Sequence, residues 1–394
     1  MANVSGGGSQ TALREQNTAA ITAALTSGGP QLQAGLARAT GLSRATVSNI
    51  VGDEVAAGRF RTEKTMQNGR WGTLVTLADN EQYVIGIDIG RTHIRLTASD
   101  AAHRLFGLRE IALELGHLPP DTFARARQLV DELVVEAGLA REQISRIGIA
   151  VPASINRDGY VVQQTVLDEW SGIDIAALAA EKLQVDVVVD NDANLGAYAL
   201  AAGNQEGTLV YIKVASGIGA GIAIRDRLYH SMSGLVGEVG HMPVGEGGQT
   251  CYCGSRGCLE TLASTRSIAS AYARILGAPA TVEDVAAAVM DGNPAAVRIV
   301  TEAGDALGRI LASICHLLSP CKIVIGGPLS AAGTVLIDAA VAAVRFRVQP
   351  SALKSTVFTS SPLGERTEMV GACLAAHNPP EGAALAYYAP VTDD

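Results

Sequence analysis

The feature that most restricts the fold is a series of short apolar runs, each stopping on a glycine turn or a carboxylate. "YVIGIDIGRTHIRLTAS" (83–99) reads as strand, tight turn and strand, with Asp88, Gly90 and Thr92 at the turn. "ISRIGIAVPASI" (144–155) is a buried strand ending in a proline turn. "VDVVVDNDANLGAYALAAG" (185–203) is a strand that ends in acids and runs into a helix. "GTLVYIKVASGIGAGIAI" (207–224) repeats the strand–glycine–strand pattern, and "CKIVIGGPLSAAG" (321–333) adds a late strand with a third glycine turn. Strands alternating with helices specify an α/β architecture. Ligands in such folds bind beyond the carboxyl ends of the strands, here the glycine turns and "DND" (190–192). Small residues at these turns let backbone N–H groups approach an anion.

At 394 residues the chain is too long for one core and predicts two or three folded units. With 48% apolar and 18% charged residues it is globular rather than disordered. The start, "MANVSGGGSQ", has neither the basic nor the apolar segment of a secretory signal. The longest apolar-leaning runs are broken by glycine and proline. We therefore expect a cytoplasmic protein with no membrane partner.

Charge is uneven along the chain. Residues 1–80 hold seven Lys/Arg against five Asp/Glu, a net +2, so the net −9 of the whole leaves −11 on the remainder. A mildly basic head on an acidic body fits a nucleic-acid-binding module joined to a non-binding domain. The head begins with two helical patterns, Leu13 to Leu25 with Ala19, Ile21 and Leu25 apolar, and "QLQAGLARAT" (31–40) with Leu32, Leu36 and Ala37 on one side. "TGLSRATVSNIVGDEVAAGRF" (40–60) follows, with Gly41 at a tight turn and Ser43 as N-cap. Val47, Ile50, Val51 and Val55 make an inward stripe, and Arg44, Thr46, Ser48 and Asn49 lie opposite, types that reach base edges and phosphates. This is a helix-turn-helix pattern. "GRFRTEKTMQNGRWGTLVTL" (58–77) then alternates like a hairpin whose tip carries Arg70, a wing. Arg61, Lys64 and Arg70 are phosphate or minor-groove candidates. A small helical dimerisation or cap domain is the alternative for this segment.

Three of the six cysteines lie between 251 and 258, inside "GHMPVGEGGQTCYCGSRGCLE" (240–260). Six in so long a chain is not a disulfide framework. His241, Cys251, Cys253 and Cys258 meet the tetrahedral demand of a structural zinc site, the alternative being free thiols beside a solvated histidine. Gly247, Gly248, Gly254 and Gly257 let the loop fold back on itself.

The body resembles the ROK family, which groups repressors, open reading frames and sugar kinases. The resemblance rests on "GLVGEVGHMPVGEGGQTCYCGSRGCLET" from Gly234, supported by "GIDIGRT", "NDAN" and "SGIGAG", and covers about residues 82–380. With the helix-turn-helix head, the whole chain resembles ROK transcriptional regulators of the sugar-repressor type. The resemblance implies an α/β, two-lobed, actin-like (RNase H-like) sugar-kinase fold behind an N-terminal winged helix-turn-helix (α+β) domain. The expected boundaries are 1–80 for the winged helix-turn-helix domain and 81–193 for the first lobe, which takes in a C-terminal helix at about 374–390. The second lobe, with the zinc loop, covers 194–373. Zinc is implied on His241, Cys251, Cys253 and Cys258. Sugar hydroxyls are implied on Glu238, His241 and Glu260, and Asn191 and Asp192 complete that site; in the kinases the aspartate takes the proton from the attacking hydroxyl. Helix caps or ion pairs are the structural alternative for the two glutamates. Ser154 and Asn156 are weaker cleft candidates, and Trp170 is either cleft or core.

Kinase and regulator share this sugar site, so the phosphate turns must separate them. In "DIGRTH" Arg91 replaces the family's second glycine and His93 its usual lysine. "VASGIGAG" has Ala215 and Ser216 where the kinases have Gly and Thr, and Pro328 sits beside the glycines of the late turn. Together these argue against ATP as a cofactor and against catalysis. The expectation is a sugar-responsive repressor of carbohydrate-metabolism genes. It binds double-stranded operator DNA and a sugar or sugar-derivative effector, as a homodimer or homotetramer. The alternative is an ATP-dependent sugar kinase carrying an added DNA module, with Asp192 catalytic.

Overall fold

A computed structural model describes residues 7–56, 59–67, 70–77, 82–162, 168–202, 207–245 and 247–389. The chain divides into two compact units, Met1–Gln82 and Tyr83–Asp394. The first holds helices Gly7–Gly28, Gln33–Thr40 and Arg44–Ala56 with strands β1 (Gln31–Leu32), β2 (Phe60–Gln67) and β3 (Arg70–Leu77), in sheet order β1-β3-β2. Gly41, at φ 71°, stops the second helix in the left-handed conformation that costs glycine least. The hydroxyl of Ser43 then accepts the Thr46 N–H at 3.0 Å and caps the third. Ile21, Leu25, Leu36, Val47, Ile50, Val51, Phe60 and Val75 form the core.

Three expectations for this unit need correction. Val55 is 37% exposed, and Glu54 turns inward instead, 6% exposed. A buried carboxylate needs a partner, and Arg59 supplies one through two hydrogen bonds of 2.5 and 2.7 Å. Ala19 is exposed, and among the described side chains of the first helix Ile21 and Leu25 are the buried ones, with Ala24 packed beside them. Leu32 belongs to β1, opposite Leu74, rather than to the second helix.

Among the described residues the second unit carries two sheets. In the six-stranded one the order is β14-β8-β7-β4-β5-β6, built from β4 (Tyr83–Ile89), β5 (His93–Ser99), β6 (Leu105–Ala112), β7 (Ile144–Val151), β8 (Val187–Asn191) and β14 (Ala384–Ala386). The five-stranded sheet runs β11-β10-β9-β12-β13, from β9 (Thr208–Val214), β10 (Ile218–Ile224), β11 (Arg227–Leu228), β12 (Lys322–Gly326) and β13 (Val357–Ser360). Each contains a parallel run (β8-β7-β4 and β9-β12-β13) flanked on one side by antiparallel hairpins, and β14 adds an antiparallel edge beside β8. Every residue of β4 is buried, as a strand covered on both faces requires.

Helix Asp192–Ala201 lies between the sheets. Its Leu195 packs with Val84, Ala150 and Val188 of the first, while Ala193 and Ala197 pack with Leu209, Tyr211 and Val324 of the second. Helix Thr367–His377 fills the remaining space. A Cβ on Gly148 would sit 1.9 Å from the Ala372 carbonyl oxygen, and one on Gly371 would sit 1.9 Å from that of Leu195. Glycine at these two positions is what permits the close layers. This last helix starts before the expected 374–390 and ends at His377, because a turn into β14 follows. The expected lobe boundary at 193/194 falls within helix Asp192–Ala201. Trp170 is core: it is fully buried, and its indole N–H donates to the His117 carbonyl at 3.0 Å. Among the described residues no helix is long and apolar enough to cross a membrane.

Candidate ligand cleft and metal centre

The strand ends and glycine turns of the second unit converge on a cleft of about 380 Å³. Asn191, Asp192, Glu238, His241 and Glu260, expected together from the sequence, all line it, and so does Ser154. Asn156 does not; its Oδ1 accepts the N–H groups of Asp158 and Tyr160 and closes a turn. Asn191 caps helix Asp192–Ala201 through Ala193 and Asn194, and its amide donates to the Ala153 carbonyl at 3.2 Å. Its side chain therefore anchors the start of the helix and aims Asp192 into the cleft. Glu238 is placed by Gly237, at φ 79°, where a Cβ would fall 1.7 Å from the Ala220 carbonyl oxygen. Ser154 donates to the Glu238 carboxylate, and the Glu238 and His241 side chains approach to 3.8 Å.

Glu260 opens a short helix and is 3% exposed. One oxygen accepts the Ile218 N–H at 3.3 Å, while Oε1 has no hydrogen-bond partner and lies 3.8 Å from Arg266. Burial raises its pKa above the ordinary carboxylate value, against the pull of His241, the Ile218 N–H and Arg266. A buried carboxylate with an open acceptor suits a hydroxyl donor such as a sugar offers.

Lys213 was not legible as a site residue in the sequence. Its ammonium stands on β9 and reaches Asp192 at 2.9 Å, Glu368 at 3.6 Å and Asp88 at 4.0 Å. Burial opposes its charge, but Asp192, Glu368 and Asp88 outweigh that and raise its pKa. Asp88 is 1% exposed; burial works against its charge, yet Lys213, His93 and Arg95 hold its pKa below the ordinary value. Burial raises Glu368, which accepts the Tyr211 hydroxyl at 2.7 Å. His93, in the place of the family's lysine, bonds the other Asp88 oxygen at 3.2 Å. Arg91, Ala215, Ser216 and Pro328 line the same cleft.

The ligand atoms of His241, Cys251, Cys253 and Cys258 all lie within 4.8 Å of one another. His241 Nδ1 faces Cys251 Sγ at 3.6 Å, whereas Nε2 faces the Tyr252 hydroxyl at 3.1 Å. One ring nitrogen is thus turned to the thiols and the other to the cleft. Gly247, Gly248, Gly254 and Gly257 all have positive φ, so the loop closes in conformations that other residues resist. Three thiols and an imidazole gathered this way could hold a metal ion. The six cysteines are unbridged.

In the first unit Arg44, Ser48 and Asn49 are exposed on helix Arg44–Ala56, and Thr46 is half-buried with its hydroxyl 2.8 Å from that of Ser43. Arg61 and Lys64 are exposed on β2. β2 and β3 pair antiparallel up to Gln67 and Arg70. The hairpin tip at 68–69 and the side chain of Arg70 lie outside the described residues.

The sequence model of the ROK family matches residues 84–378. The chain belongs to the ROK family. Among ROK proteins, the xylose repressor of Bacillus spizizenii is 25% identical over 92% of this chain and 95% of its own. The glucokinase of Thermotoga maritima, 28% identical, covers 73% of this chain and 95% of its own. A solved structure of a ROK family transcriptional regulator, described as a homologue of the E. coli MLC protein, aligns with a TM-score of 0.74 at 22% identity, covering 93% of this chain and 96% of that one. That likeness establishes the two-lobed ROK fold and extends through the N-terminal unit.

Proposed function

We infer that this ROK protein is a sugar-responsive, DNA-binding transcriptional repressor. The observation that carries the reading is the presence, on one chain, of a capped helix-turn-helix with a hairpin and a cleft in which Asp192, Glu238, His241 and Glu260 converge. Alignment over nearly the full length with a xylose repressor supports it. The sugar sits against Asn191, Asp192, Glu238, His241 and Glu260, whose carboxylates accept its hydroxyls. Structural zinc sits on His241, Cys251, Cys253 and Cys258; when bound it ties down the loop carrying His241 and Glu260. Operator DNA is read by Arg44, Thr46, Ser48 and Asn49, with Arg70 on the wing, in a homodimer or homotetramer that presents two such units to two half-sites. Sugar binding shifts the lobes and so the pairing of the DNA-binding units.

A gel-shift titration of an operator fragment with xylose, glucose and their derivatives tests the reading. One sugar is expected to alter the shift, and the alteration to vanish in Glu260→Gln. Absence of DNA binding under every condition would sink it.

The alignment with a glucokinase and the retained Asp192 favour a second reading, an ATP-dependent sugar kinase with an added DNA-binding unit. Sugar-dependent ADP release, abolished by Asp192→Asn, would establish it. Against it stand Arg91, Ala215 and Ser216 at the phosphate turns.

A further inference from the structure

We propose that Lys213 is the residue that keeps this cleft a sensor: its ammonium holds the position among Asp88, Asp192 and Glu368 that a nucleotide-bound divalent cation would need. The inference rests on the sensor reading above. The three carboxylates come from separate elements, β4, the start of helix Asp192–Ala201 and helix Thr367–His377, and Lys213 comes from the other sheet. All four are largely buried, with side-chain exposures of 1%, 11%, 4% and 13% for Asp88, Asp192, Glu368 and Lys213.

Phosphoryl transfer from a nucleotide requires divalent cations against the phosphates and a carboxylate free to take the proton of the attacking hydroxyl. Lys213 takes the place of the cation and pairs with the carboxylate that would serve as base. A magnesium ion gathers oxygens at about 2.0–2.1 Å in an octahedron, and an ammonium 2.9 Å from Asp192 Oδ2 occupies that volume with like charge. Asp192 has both oxygens engaged, Oδ2 by Lys213 at 2.9 Å and Oδ1 by the Ala193 N–H at 2.7 Å. It can still accept a sugar hydroxyl through a remaining lone pair, but the adjacent ammonium disfavours its taking up a proton. Lys213 does not swing away at low cost, because leaving would strand buried acids without a counter-charge. The cluster holds more acid than one ammonium neutralises, and Asp88 Oδ1 has no hydrogen-bond partner. Without Lys213 the same carboxylates would therefore draw in an oxygen-seeking cation.

The test is a titration of Mn²⁺ into the zinc-loaded full chain, following the electron paramagnetic resonance signal of free Mn²⁺. Thiolates select zinc and carboxylates suit Mn²⁺, so the two sites report separately. The wild-type cluster is expected to give no saturable binding, and Lys213→Met to gain one Mn²⁺ equivalent at least about tenfold tighter, lost again in the Asp88→Asn/Lys213→Met double variant. Lys213→Gln, which keeps volume and a neutral donor, should show the same gain and serves if the methionine variant fails to fold. Saturable wild-type binding that Asp88→Asn removes would overturn the proposal, whatever the variants do. So would a folded Lys213→Met or Lys213→Gln that binds no more Mn²⁺ than wild type. Neither DNA nor sugar enters this measurement, so its failure is distinct from failure of the gel shift.

Discussion

His377 shows how one residue feels its surroundings. It ends helix Thr367–His377, its Nε2 lies 3.0 Å from the Ser99 hydroxyl, and its ring meets that of His103 edge-on at 4.4 Å. Burial, then the neighbouring His103, push its pKa down to about 4, with Asp100 pulling the other way. A histidine whose pKa is lower folded than unfolded binds fewer protons in the native state, so stability rises with pH through that window. We predict that acidification from about pH 6.5 to pH 4 costs the wild type roughly 1–3 kcal/mol through this residue, after allowing for solvent screening. Denaturant melts of wild type and His377→Gln across that range measure it. Burial pushes His230 down, but Asp190 at 2.7 Å outweighs this and raises its pKa, so it works in the opposite direction and the difference between the two proteins is the quantity to read. Equal pH slopes would remove the prediction.

At the scale of elements, the third helix of the first unit was legible in outline. Gly41 and Ser43 punctuate it as expected, because a left-handed stop and a hydroxyl cap are local devices. Its inward face was less legible. Periodicity put Val55 inside, but the chain leaves the helix soon after, and Glu54 with Arg59 closes the bottom of the core instead. An apolar pattern cannot show that a carboxylate will be buried when its partner lies five residues on, beyond the helix. Ser43→Ala is predicted to cost about 1 kcal/mol in the unfolding of the first unit. Operator binding should weaken with it, since the same cap orders the turn that carries Arg44. Paired chemical denaturation and gel shifts check this; unchanged stability would mean that the cap is redundant.

At the scale of the molecule, the two sheets and the helix between them bring residues 88, 192, 213, 238, 260 and 368 to one cleft, and the cysteine loop borders it. We predict that removing zinc with a strong chelator releases one equivalent of metal. It should lower the thermal midpoint by roughly 2–4 °C for each kcal/mol lost and abolish the sugar response, while leaving sugar-free DNA binding in place. The two effects separate because the loop serves the cleft, whereas the DNA-binding unit has a core of its own. A metal-free mass with unchanged stability would remove zinc from the account. The α/β class, the helix-turn-helix and the grouping of His241, Cys251, Cys253 and Cys258 were legible in the sequence alone. Each is written in spacings of a few residues, where turns, caps and loop closure act. Lys213 and Glu368 were decided only by the tertiary structure. They meet Asp88 and Asp192 across 280 residues of chain, from the two sheets and two helices, and no local spacing encodes which buried charges a fold will bring together.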